Sequence, residues 1–200
     1  MNPVPRRPPG GRSTARAPHE VRIIGGQWKR TKLPVLDRPG LRPTPDRLRE
    51  TLFNWLGQDL SGWHCVDAFA GTGALGFEAA SRGAAEVLLF DTEGALVDSL
   101  RETVGRLGAT QMRVQRGNAI TLLSGLAPGS QHVVFLDPPF DAGVSDKALA
   151  AAAPAVREGG FVYLESPTHW NEASVAVHGL QLTRHSRVGA VHGHLLVRAA

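Results

Sequence analysis

Two hundred residues, 42% of them apolar, suffice for one α/β core and leave little for a second domain. No apolar run reaches eighteen residues and the Pro/Arg-rich start lacks a signal-like apolar stretch, while Cys65 stands alone; a reducing cytoplasm is expected, without membrane span, secretory signal or internal disulfide. Charge is uneven: residues 1–50 carry 12 Lys/Arg against 4 Asp/Glu (+8), residues 51–200 carry 10 against 14 (−4), so a basic arm on a near-neutral body suits a polyanionic partner.

Residues 1–19 hold five prolines, two glycines and four arginines, too little apolar surface to offset ordering entropy, and are expected to form a disordered basic tail. Residues 20–33 predict a small hairpin, with Val21–Ile24 as one strand, Gly25-Gly26 as the turn and Gln27–Arg30 as the other. A proline-rich loop follows over 34–43. Thr44-Pro45-Asp46 opens a helix, Thr44 as N-cap and Pro45 at the first helical position. Leu48, Leu52, Trp55 and Leu56 mark its apolar face, Arg47, Glu50 and Asn54 another, and Gly57 ends it.

From residue 63 the pattern alternates. Strands are expected at 65–69, 86–91, 111–116, 132–137 and 160–165, with helices at about 74–82, 94–107, 118–126 and 145–156. That order implies a parallel sheet covered on both faces. Apolar runs near 174–185 and 190–198, with no crossover helix between them, predict an antiparallel hairpin at the sheet edge. Residues 44–200 thus read as one catalytic body and 20–43 as a basic lobe. Cys65, at the start of an apolar strand, reads as a buried, inert thiol.

The first strand runs into Asp67-Ala-Phe69-Ala-Gly71-Thr-Gly73-Ala-Leu-Gly76, a Gly-x-Gly-x-x-Gly loop between strand and helix. Asp91 closes the next strand, where a ribose hydroxyl would be held. Dinucleotide enzymes and methyltransferases share both features. Asp67 separates them, because a carboxylate there suits the ammonium of a methionine moiety and repels a pyrophosphate. Asn118, after the third strand, reads equally as an adenine contact or as a helix N-cap.

The fourth strand ends in Asp137-Pro138-Pro139-Phe140. A carboxylate, carbonyls stiffened by proline and a flat ring suit an exocyclic amine on a planar base. Two acceptors hold its N–H groups and favour a pyramidal nitrogen whose lone pair can attack a sulfonium methyl; the ring stacks on a base taken out of its own stack. The two motifs together predict methyl transfer from S-adenosylmethionine to a base nitrogen. His185, His192 and His194 raise a metal reading; without a nearby Cys or carboxylate set they read as exposed polar surface, and no metal is expected.

At this point a resemblance is plain. Arg22-Ile-Ile-Gly-Gly26, Arg42-Pro-Thr44, Arg47-Leu-Arg-Glu-Thr-Leu-Phe-Asn-Trp-Leu56, the Asp67 loop and Asp137-Pro-Pro-Phe140 resemble the RsmD family of bacterial 16S ribosomal RNA guanine-N2 methyltransferases, from about residue 20 to the end. The resemblance implies a Rossmann-like class I methyltransferase: a seven-stranded, mostly parallel sheet with a terminal antiparallel hairpin, a small amino-terminal β-hairpin, and a substrate in a small-subunit assembly intermediate. The expected cofactor set is Thr44, Asp67, Phe69, Gly71, Gly73, Asp91 and Asn118; the catalytic set is Asp137, Pro138, Pro139 and Phe140. Arg22, Lys29, Arg30, Lys32 and Arg42 are the expected RNA contacts. N6-adenine and glutamine-N5 methyltransferases, which favour Asn-Pro-Pro-Tyr or Asp-Pro-Pro-Tyr, are the alternative enzymes, and a noncatalytic RNA-binding assembly factor is the alternative from another class.

Overall fold

The computed structural model describes residues 21–36, 44–140 and 143–199. The expected basic tail, most of the proline-rich loop, Arg42 and the two residues after Phe140 lie outside that range. Among the described residues fifteen elements follow in order. They are β1 (Val21–Arg22), β2 (Lys32–Leu33), α1 (Asp46–Trp55), β3 (His64–Asp67), α2 (Ala74–Ser81), β4 (Glu86–Asp91), α3 (Gly94–Leu107), β5 (Met112–Arg116), α4 (Ala119–Ser124), β6 (Gln131–Leu136), α5 (Val144–Ala155), β7 (Val156–Ser166), α6 (Glu172–Ala176), β8 (Leu180–Val188) and β9 (Val191–Arg198).

Seven strands form one sheet in the order β5-β4-β3-β6-β7-β9-β8. The first five are parallel, and β9 and β8 close the edge antiparallel, as the sequence pattern predicts. The chain leaves β3 toward β4 and β5, then returns to place β6 on its other side. The crevice at the carboxyl ends of β3 and β6 is therefore the switch point where doubly wound sheets hold ligands. Both motifs lie there.

Alternation along the strands sends side chains to two faces. Cys65, Val133, Phe135 and Tyr163 join α1 and α2 in one buried cluster; Val66, Val134, Leu136, Val162 and Leu164 join α4 and α5 in the other. Cys65 is buried, and burial pushes its thiol well above the ordinary range, which makes it inert. Among the described residues no helix is long and apolar enough to cross a membrane.

Four local expectations change. The second hairpin strand is β2 at 32–33, pairing Val21 with Leu33 and Arg22 with Lys32, and not Gln27–Arg30. Residues 25–30 instead form a wide turn docked on α2, where Ser81 O accepts from Gln27 N and Ser81 Oγ from Trp28 N. Pro45, not Thr44, is the N-cap of α1, with no side-chain cap; the Thr44 hydroxyl is engaged elsewhere. Residues 172–176, expected at the start of a strand, form α6, capped by Asn171 accepting from Ser174 N at 2.9 Å. Finally, β7 begins at Val156, inside the expected helix, because its amino-terminal part pairs with Gln131 across an irregular register.

Candidate active site

The loop after β3 is held from two sides. Asp91 Oδ2 accepts from Gly71 N and its Oδ1 from Glu93 N, each at 2.9 Å, so the acid that closes β4 ties the glycine loop to the start of α3. Asp67 Oδ2 accepts from Gly76 N at 2.9 Å in the first turn of α2. Gly73, at φ 75°, occupies the left-handed region, and a Cβ there would come within 2.7 Å of Phe77 and Leu100. Its bareness thus serves the packing of α2 and α3, and filling it would damage the protein before it touched a ligand. Gly76 likewise lets α2 close on Leu89 and Asp67. Phe69 is half-buried and packs against the second core cluster.

The fourth-strand motif meets an acid that the sequence reading did not single out. Phe135 pairs with Tyr163 and Leu136 with Leu164. Continuing that register sets Asp137 beside Glu165. Both lie on the face covered by α1, and the Thr44 hydroxyl hydrogen-bonds to both carboxylates. Tyr163 adds an O–H donor to Glu165 at 3.1 Å. Burial first, then the charge of Glu165, pushes Asp137 well above the ordinary carboxylate range. Burial likewise raises Glu165 to about 7, opposed by the hydroxyls of Thr44 and Tyr163. Asp67 is pushed up to about 7, mainly by burial and further by Asp137 and Asp91. Like charges this close cannot all ionise, so the pair at Asp137 and Glu165 tends to share one proton near neutral pH. The signal that could have revealed Glu165 is a lone acid ending the apolar run Phe161-Val-Tyr-Leu.

Pro138 is buried, Pro139 is exposed, and the Phe140 ring is 52% exposed, open to stack. Asn118 is the N-cap of α4, accepting from Thr121 N at 3.2 Å. Arg22 and Lys32 are exposed and opposite one another on the turn side of the two-residue ladder, while Lys29 and Arg30 are exposed in the turn. That turn rests on the last turn of α2, eight residues or about 12 Å of helix from Gly73. Lys29 and Arg30 thus lie toward the end of α2 remote from the glycine loop.

The Arg22–Gly26 signature also has a structural task. Glu78, fully buried in α2, accepts from Ile24 N at 2.8 Å and Gly25 N at 2.7 Å, and pairs with Arg82 at 2.7 Å and Arg49 at 3.6 Å. Arg49, also fully buried, donates to Arg22 O at 2.9 Å. A Cβ on Gly26 would fall 1.8 Å from Ser81 O. Sequence periodicity placed neither Arg49 nor Glu78 in the interior.

His194 departs from the expected exposed surface: it is buried, with Nδ1 against Leu164 O at 3.2 Å and Nε2 accepting from Trp170 N at 3.0 Å.

The family described as Conserved hypothetical protein 95 matches residues 21–197. The chain belongs to this family. It is 47% identical over 131 residues to Ribosomal RNA small subunit methyltransferase D of Escherichia coli, an alignment covering 65% of each protein. The match thus spans a little under two thirds of that relative's length. The Haemophilus influenzae protein of the same name is 38% identical over 158 residues, 76% of this chain and 82% of its own. The solved E. coli chain yhhF superposes with TM-score 0.78 at 38% identity, covering 90% of this chain and 99% of its own; H. influenzae HI0767 gives 0.74 at 30% with the same coverage. The fold is the Rossmann-like one of class I methyltransferases.

Proposed function

We propose that the chain transfers a methyl group from S-adenosylmethionine to the exocyclic N2 of a guanine in 16S ribosomal RNA, on a cytoplasmic small-subunit assembly intermediate. The observation that carries this reading is the Asp137–Glu165 pair under Thr44, with the exposed Phe140 ring beside it and the glycine loop on the adjacent strand. The names of the E. coli and H. influenzae relatives support the ribosomal substrate.

The residues present fit the donor. Asp67, Asp91, Asp137 and Glu165 converge at one sheet edge, where burial first and then mutual repulsion raise Asp67, Asp137 and Glu165. Such a field is relieved by a ligand bearing cationic charge and aggravated by a pyrophosphate. Asp67 would hold the ammonium and Asp91 the ribose, with Thr44, Phe69, Gly71, Gly73 and Asn118 lining the site. S-adenosylmethionine supplies an electrophilic methyl on sulfur.

The protein's part is positioning and charge. Asp137, in its ionised form, accepts one N–H of the base amine and a carbonyl of the tetrapeptide accepts the other. Phe140 stacks on the base and fixes its plane. Glu165, raised to about 7, holds the proton the pair shares and so leaves Asp137 ionised; the amine proton released after transfer is taken by Asp137. Thr44 keeps both carboxylates in place from the start of α1. Calorimetry tests the cofactor assignment: S-adenosylmethionine and S-adenosylhomocysteine should bind with one site and NAD should not. Binding of NAD alone would overturn it.

A further inference from the structure

Against the expectation drawn from sequence, we propose that His169, His185 and His194 form a binding site for a divalent transition metal of the zinc class, with His192 as an adjoining fourth ring. Half of the chain's eight histidines meet here. Ring-nitrogen atoms of the first three all lie within 4.8 Å of one another. Ring centres are 4.4 Å apart for His169–His185, 5.0 Å for His185–His194 and 5.5 Å for His169–His194. His192 is 5.1 Å from His185, 6.0 Å from His169 and 6.1 Å from His194. Zinc held by imidazole nitrogens at about 2.0–2.1 Å in a tetrahedron sets ring centres roughly 5 Å apart, so modest side-chain closure suffices.

The hydrogen bonds assign the ligating nitrogen of His194. Leu164 O accepts from His194 Nδ1 at 3.2 Å, which fixes the tautomer and leaves the lone pair on Nε2. That lone pair now takes Trp170 N–H at 3.0 Å, so the cation displaces this amide and shifts the 167–171 loop. His185 Nε2 and His192 Nδ1 are 2.9 Å apart and can share only one proton, which a dication can replace. The site would tie the loop after β7 to the β8–β9 hairpin. Gly193, between His192 and His194, pairs with Glu165, so the same strand forms a wall of the proposed active site.

The test uses the full chain without an affinity tag, freed of metal by chelation. Cobalt titration should give one equivalent with the visible bands of tetrahedral nitrogen ligation, and zinc should displace it. Indole fluorescence should change with the same stoichiometry, and a Trp170→Phe variant should lose that change. The exposed-site double variant His169→Ala/His185→Ala should fold normally without metal and lose at least ~100-fold in affinity. His64→Ala/His132→Ala, a pair elsewhere on the chain, should bind as the parent does. Absence of a stoichiometric cobalt spectrum, or unchanged affinity in the His169/His185 variant, would overturn the site.

Discussion

Glu165 and Asp137 share a hydroxyl, a sheet face and a field, and each sets the acidity of the other. Removing the charge of Glu165 with Gln keeps its shape and its contact with Thr44 while deleting the second-largest cause of the raised Asp137. The acid limb of the kcat profile should therefore move to lower pH in Glu165→Gln, because Asp137 ionises more readily. A limb that stays in place would show that the two carboxylates do not interact during turnover. Stability should follow a related rule. Glu165 and Asp67, both raised to about 7 in the folded chain, bind protons more tightly there than when unfolded. Their contribution is complete below their ordinary values near 4 and is lost as pH rises through about 7. Thermal unfolding from pH 5 to 8 should show Tm falling across that window, with a shallower fall in Glu165→Gln.

At the scale of elements, the amino-terminal hairpin is fastened to α2 through one carboxylate. Glu78 accepts two hairpin amides and faces two arginines, so Glu78→Ala would unfasten the hairpin and leave buried Arg49 with Asp46 and Arg22 O as its remaining partners. A loss on the order of 3–5 kcal/mol is expected in urea unfolding; a change within about 0.5 kcal/mol would contradict the clamp. The same geometry sorts the basic residues. Arg22→Glu, in the ladder of the hairpin, should weaken rRNA affinity and flatten its salt dependence by about one unit of slope. Lys29→Glu/Arg30→Glu, in the turn at the far end of α2, should do so much less. Equal losses would mean that RNA wraps the whole lobe. The hairpin was visible from its apolar and glycine pattern, but its register was not. Pairing of Val21 with Leu33 is decided by the docking of residues 25–30 on Ser81, a contact between segments more than 50 residues apart. Thr44 reads as a cap in sequence for a similar reason: Thr-Pro-Asp is a sound local signal, and the carboxylates that claim the hydroxyl lie about 90 and 120 residues away in sequence.

For the whole molecule, the βα alternation alone gives the parallel sheet, its two covered faces and the edge hairpin. Chain reversal after β5 then puts the glycine loop and Asp137-Pro-Pro-Phe140 at one switch point. Both site motifs were legible because each sits at the end of its own strand. Glu165, Arg49 and Glu78 were not, since a buried acid or base shows in sequence only as an interruption, and its partners come from other elements. The proposed reaction joins this site to one class of RNA. Its most direct measurement is transfer of labelled methyl into ribosomal RNA, naked and in small-subunit particles, with nucleoside digestion and position mapping. Label is expected in N2-methylguanosine at a single position of the small-subunit RNA, preferentially in particles, with a loss of at least ~100-fold for Asp137→Ala and S-adenosylhomocysteine affinity kept within a few-fold. Label in N6-methyladenosine or in protein glutamine, or full transfer by Asp137→Ala, would contradict it.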